Sequence, residues 1–171
     1  MTEQKIQLGQ KLIKMDETIT AVESLTAGLF AATLAETPGI SAVFPGAFVT
    51  YSATAKTLLT GVPQALIARY GVVSEQVAVA MAFGAAKKMQ TDWAISFTGV
   101  AGPDSLEGHA AGTVYIGIVY GQRLSYVQAF QLEGDRQMVR EAAVSAGMNL
   151  LNAVILTPDK YFEKIVTKSG N

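Results

Sequence analysis

The spacing of apolar positions changes several times along the chain, and each change predicts a new element. Ile6, Leu8, Leu12, Ile13 and Met15 recur at roughly helical intervals and predict an opening helix. Residues 18–23 are short and β-branched, which suits a strand. Small apolar residues over 29–36 predict a helix stopped by Pro38-Gly39. Residues 47–51 give a second strand. Ser52 can cap a short helix holding Lys56, Leu58 and Leu59, and Pro63 suits the first turn of another. Ser74 opens a longer helix. Val77, Met81, Ala85 and Lys88 follow one of its faces, and Val73 is a staple residue before its cap. Its alanines and Gly84 predict close packing against a sheet or a second helix.

Residues 93–98 predict a buried strand, followed by a polar loop over 104–111. Two more strands, Thr113–Tyr120 and Leu124–Gln131, flank a glycine-led turn at Gly121-Gln122. Asp135 can cap a last long helix with Val139, Ala142, Ala143, Ala146 and Leu150 inward. This order predicts an α/β fold: a single layered domain over 1–157, with a mixed β-sheet flanked by helices, and a tail over 158–171. The sheet is expected to be mixed because strands joined by a tight turn must be antiparallel.

Composition narrows the chemistry. The 171 residues include no cysteine and one histidine, His109. Disulfides, thiolate nucleophiles and cysteine-ligated metals are therefore excluded, as is a multi-histidine metal site within one chain. No metal or other cofactor is expected. Thirteen Lys and Arg against 14 Asp and Glu leave a net charge of −1, without the basic footprint of a nucleic-acid binder. With 50% apolar residues the chain is not disordered. No apolar run reaches the roughly 18 residues that a membrane span requires, and the first residues lack the apolar stretch of a signal peptide. Neither a membrane nor nucleic acid is expected as a partner, and the expected location is the cytoplasm.

Three polar clusters directly follow predicted strands, where ligands of open α/β sheets usually bind. In the first, Glu23-Ser24-Leu25-Thr26-Ala27-Gly28, Ser24 is either a nucleophile or, like Thr26, simply the cap of the next helix. The second runs from Thr50 to Lys56. Lys56 lies in a stretch otherwise uncharged from Glu36 to Arg69. It is either a general base, if its surroundings lower its pKa, or a solvated lysine. In the third, Thr98-Gly99-Val100-Ala101-Gly102-Pro103-Asp104, main-chain N–H groups can cradle an anion or form an ordinary turn. Arg136 and Arg140 share a helix face and can bind a phosphate or pair with Glu133 and Glu141. His109 reads as a solvated loop side chain.

Taken together the segments resemble the CinA C-terminal domain family over about residues 3–151. The resemblance rests on six ordered motifs: Ala21-Val-Glu-Ser-Leu-Thr-Ala-Gly28, Val49-Thr-Tyr-Ser-Ala-Thr-Ala-Lys56, Gly71-Val-Val-Ser74, Thr98-Gly-Val-Ala-Gly-Pro103, Gly112-Thr-Val-Tyr-Ile-Gly117 and Gly134-Asp-Arg136. It implies a compact α/β fold, a homo-oligomer of two or more copies, and deamidation of nicotinamide mononucleotide to nicotinate mononucleotide and ammonia. It implies a small-molecule nucleotide as partner. Carried onto this chain, it implies Ser24 as nucleophile, Lys56 as base and Tyr51 beside them. It further implies substrate contacts from Glu23, Thr26, Gly28, Thr98, Gly99, Ala101, Gly102 and Arg136. The chain departs from the family pattern at Ala27, where a glycine is usual, at Ala53, and in the 104–111 loop, which lacks a Lys-Pro pair. These departures leave open a second expectation: a catalytically altered member that binds nucleotide or phosphate, or serves as an interaction module.

Overall fold

The structure, a computed structural model, describes residues 2–162. Its elements are α1 (Thr2–Met15), β1 (Ile19–Glu23), α2 (Leu29–Leu34), β2 (Gly46–Val49), α3 (Ala53–Thr60), α4 (Gln64–Tyr70), α5 (Glu75–Met89), β3 (Trp93–Gly99), β4 (Thr113–Tyr120), β5 (Leu124–Gln131), α6 (Arg136–Leu156) and α7 (Pro158–Phe162). The sheet order is β2-β1-β3-β4-β5. β1 is parallel to β2 and β3, while β4 and β5 run antiparallel to their neighbours, so the sheet is mixed as the sequence predicts.

Alternation along the two central strands divides the core. Ile19 and Ala21 of β1, with Trp93, Ile95 and Phe97 of β3, face a layer that includes α1, α2, α6 and α7. Val22 and Ala94 face the opposite layer, built around α5. Gly84 explains the close packing there: a Cβ on it would lie 1.7 Å from the Thr60 carbonyl oxygen at the end of α3. Only glycine lets α3 end directly on α5.

Several boundaries differ from expectation. Met15 belongs to the apolar pattern yet is 40% exposed, because α1 ends on it. β2 stops at Val49, which leaves Tyr51 in the following loop. α2 ends at Leu34, well before Pro38, and a 3-10 turn at Ile40–Ala42 follows; one turn is too short to show a periodicity. Within the expected tail, Pro158–Phe162 forms α7, and Phe162 packs near Trp93, whose ring stacks on Tyr120 at 4.2 Å. Residues 163–171 of that tail lie outside the described residues. No helix among the described residues is long and apolar enough to cross a membrane.

Because β1, β2 and β3 run the same way, their carboxyl ends share one edge of the sheet. The three polar clusters therefore meet.

Candidate active site

β1 ends at Glu23, whose side chain shares a face with Ile19 and Ala21 and so points beneath α2. Its carboxylate is fully buried and accepts the N–H groups of Gly28 (3.0 Å), Phe30 (3.1 Å) and Ala31 (2.9 Å). These donors would otherwise be orphaned at the helix start, where the macrodipole also favours a negative charge. The sequence leaves open whether Ser24 or Thr26 caps this helix; Glu23 takes that place by occupying those donors itself. It also changes three expected substrate contacts. Glu23 is a support for the helix. Gly28 is the α2 N-cap at φ +93°, its N–H held by Glu23. Thr26 is fully buried, and its hydroxyl has no hydrogen-bond partner among the described residues. None of the three lines the cleft described below.

Ser24 sits at the mouth of this turn. Its N–H donates to the Phe97 carbonyl at 2.9 Å and so extends the β1–β3 pairing by one residue. The chain then swings into α2 through two left-handed residues, Ala27 at φ +52° and Gly28 at φ +93°. For alanine that conformation costs about 1–2 kcal/mol, which is why a glycine at position 27 is the easier choice.

Lys56 approaches from α3, whose N-terminus is set by Ser52; the Ser52 hydroxyl accepts the Ala55 N–H at 3.0 Å. The lysine is 1% exposed. Its Nζ donates to the Thr50 carbonyl at 2.8 Å and to Ser24 Oγ at 3.0 Å. Burial pushes its pKa down from the usual 10.5 to about 8, and the Glu107 carboxylate works in the opposite direction. Of the two readings of Lys56 left open by the local sequence, the structure places the amine in the desolvated setting that a general base requires.

The two residues open onto a cleft of about 230 Å³, also lined by Leu25, Tyr51, Val72, Val73, the Thr98–Gly102 segment, Asp104, Leu106 and Arg136. Thr98, Gly99, Ala101 and Gly102 are thus where the motif places them. The Thr98 hydroxyl donates to the Val72 carbonyl at 2.6 Å and fastens the wall. The Val100 N–H is engaged by the Thr113 carbonyl, which removes it as an anion donor. Arg136 extends over the rim from the first turn of α6. It donates to the Gly102 carbonyl at 2.8 Å and to the Tyr51 hydroxyl, both neutral oxygens, so its charge stays available to an anion. Tyr51 is 57% exposed and is tied to the site through Arg136. His109 does not line the cleft; its ring meets Tyr115 edge-on.

Two residues take roles that the sequence does not assign them. Glu107 accepts the Val73 N–H at 3.2 Å and braces the wall over 71–73. No local pattern marks it. Arg140 turns to the main chain of the Ser24 turn, away from any pairing with Glu133 or Glu141. It donates to the carbonyls of Leu25 and Thr26, both at 3.0 Å.

A hydroxyl within hydrogen-bond reach of a desolvated amine has the geometry that a nucleophile and its base require. A rim guanidinium beside them suits a substrate with an anionic group.

Comparison with known proteins places the chain in a family. Residues 2–155 match the family model described as the CinA C-terminal domain. A competence-damage inducible protein of Lactiplantibacillus plantarum is 52% identical over 141 residues, covering 82% of this chain and 34% of that protein. One of Streptococcus thermophilus is 45% identical over 148 residues, covering 86% and 35%. The chain thus spans about a third of the length of these curated relatives. The crystal structure of a CinA superfamily protein of Escherichia coli superposes with a TM-score of 0.85 at 32% identity, covering 88% of each chain. One from Klebsiella pneumoniae superposes with a TM-score of 0.88 at 29% identity, covering 91% of this chain and 97% of that one. The chain belongs to the CinA C-terminal domain family.

Proposed function

We propose that the chain is an amidohydrolase of the cytoplasm that deamidates nicotinamide mononucleotide through Ser24 and Lys56. The observation that carries this reading is the 3.0 Å contact between Ser24 Oγ and the buried Nζ of Lys56 at the head of a small-molecule cleft. In its neutral form Lys56 keeps one N–H on the Thr50 carbonyl and turns its lone pair to Ser24. Nζ takes the Ser24 proton as Oγ bonds to the carboxamide carbon. The carbonyl oxygen becomes an oxyanion. The carbon–nitrogen bond then breaks, and the Lys56 ammonium returns the proton to the departing nitrogen, which leaves as ammonia. Water, deprotonated by the same amine, attacks the acyl-enzyme and releases nicotinate mononucleotide with Ser24 restored. Arg136 holds the 5′-phosphate.

Two measurements test this reading. Arg136→Met raises KM for nicotinamide mononucleotide on the order of 10-fold or more, as the loss of a charged hydrogen bond predicts, but leaves the unphosphorylated riboside unaffected. The second concerns pH. With a base of pKa about 8, kcat/KM climbs through that pH to a plateau. The Glu107 carboxylate raises the Lys56 pKa, so Glu107→Gln moves the rising limb to lower pH. A limb that stays in place removes Glu107 from the base's electrostatics.

The second reading, a nucleotide-binding module without turnover, draws on the 104–111 loop, where the family's Lys-Pro is replaced and Glu107 lies against Val73. Calorimetric binding of the mononucleotide with no ammonia released would favour it.

A further inference from the structure

The turn that carries Ser24 is held from both sides. Glu23 occupies the first helical N–H groups from beneath α2. Arg140, a turn beyond Arg136 on α6, holds the carbonyls of Leu25 and Thr26 with Nε and Nη2 at 3.0 Å each. Its third contact, at 3.1 Å, is the neutral Gln137 side chain. The Ser24 carbonyl accepts the Ala27 N–H at 3.1 Å. After these bonds the N–H groups of Leu25 and Thr26 remain without an acceptor among the described residues. Leu25 follows the nucleophile and lines the cleft.

We propose that Arg140 is a positioning residue for Ser24: by gripping the Leu25 and Thr26 carbonyls it holds the turn so that the Leu25 N–H, on the residue that lines the cleft, is presented to the oxyanion that forms when Ser24 attacks. A peptide unit is planar, and those of this turn are trans, so in each of them C=O and N–H point to opposite sides. Fixing the Thr26 carbonyl on α6 therefore turns the Ala27 N–H of the same peptide away from α6 and onto the Ser24 carbonyl, and holding that carbonyl fixes the direction of the Leu25 N–H across its own peptide. A guanidinium on the carbonyl also polarises the peptide and strengthens its N–H as a donor, because hydrogen bonds in a chain reinforce one another. The α2 donors cannot serve the same task, because Glu23 takes them. Arg136 and Arg140 thus divide the work. One faces the substrate's anion at the rim, and the other acts through the main chain. This inference rests on Ser24 being the nucleophile, and on nothing about the identity of the substrate.

The test uses the purified chain and a fluorophosphonate, which forms an Oγ–P bond at an activated serine and releases fluoride. Its phosphoryl oxygen occupies the oxyanion position. Arg140→Met slows labelling of Ser24 on the order of 10- to 100-fold, somewhat less than direct loss of an oxyanion donor, and Arg140→Lys recovers part of the rate. With nicotinamide mononucleotide and its riboside alike, Arg140→Met lowers kcat by a similar factor and leaves KM within about two-fold. Unchanged labelling in a folded Arg140→Met overturns the proposal. So does a KM increase confined to the phosphorylated substrate, which would make Arg140 a phosphate ligand. Should the Met variant not fold, Arg140→Lys at wild-type rate overturns it equally. Absence of wild-type labelling at Ser24 also overturns it. Labelling at Ser24 without ammonia release defeats the amidase reading alone.

Discussion

Lys56→Met is expected to abolish the proposed amide hydrolysis while making the fold more stable. The loss of rate follows from the base. Without an amine near Ser24 the hydroxyl proton has nowhere to go, and general-base catalysis of this kind contributes on the order of 10²- to 10⁴-fold. Lys56→Arg gives no rescue, because a guanidinium keeps its proton at any working pH. The gain in stability follows from the same desolvation. The folded-state pKa is about 8 against 10.5 unperturbed, so below pH 8 the folded protein must hold a charge that burial disfavours. That cost is on the order of 3 kcal/mol at neutral pH, and it fades as pH rises from 8 to 10.5, where the unfolded chain loses its proton too. Methionine fills the same space without charge but leaves the Thr50 carbonyl without its donor, which returns roughly 1–2 kcal/mol. The expected net gain is about 1–2 kcal/mol, or a few degrees in Tm. Thermal unfolding at pH 7 and pH 10 checks both parts. The variant melts higher at pH 7, and the difference shrinks at pH 10. A variant that melts lower at pH 7 contradicts the burial of a strained ammonium.

Ser24→Ala carries the other large effect. Removing Oγ removes the proposed covalent route, so turnover is expected to fall by on the order of 10³-fold or more. Stability changes little in comparison, because the turn is held by main-chain bonds to Phe97 and by Glu23 and Arg140, not by the Ser24 hydroxyl. KM, by contrast, stays close to wild type, since Arg136 and the cleft walls are untouched.

The parts of this protein legible in the sequence are those decided locally or by ordered motifs. Ser52, Ser74 and Asp135 cap the helices they precede, each by accepting a main-chain N–H three residues on. The hairpin at Gly121-Gln122 requires the antiparallel pairing of β4 and β5. The convergence of three strand ends follows once β1, β2 and β3 are parallel. What stayed hidden depends on residues distant in sequence. Lys56 looks like a surface lysine on a short helix until α3 packs on α5 through Gly84. Glu23 looks like a ligand contact because its motif faces a site, yet the strand's alternation turns it under α2. Arg140 and Glu107 act across 115 and 34 positions of chain, respectively, and no spacing rule reaches that far.

The most direct measurement is ammonia release from nicotinamide mononucleotide by the purified wild-type chain beside Ser24→Ala. A serine–lysine amidase predicts steady release by wild type, rising with pH through about 8, and none above background in the variant. Equal release by both proteins, or none by either, contradicts it.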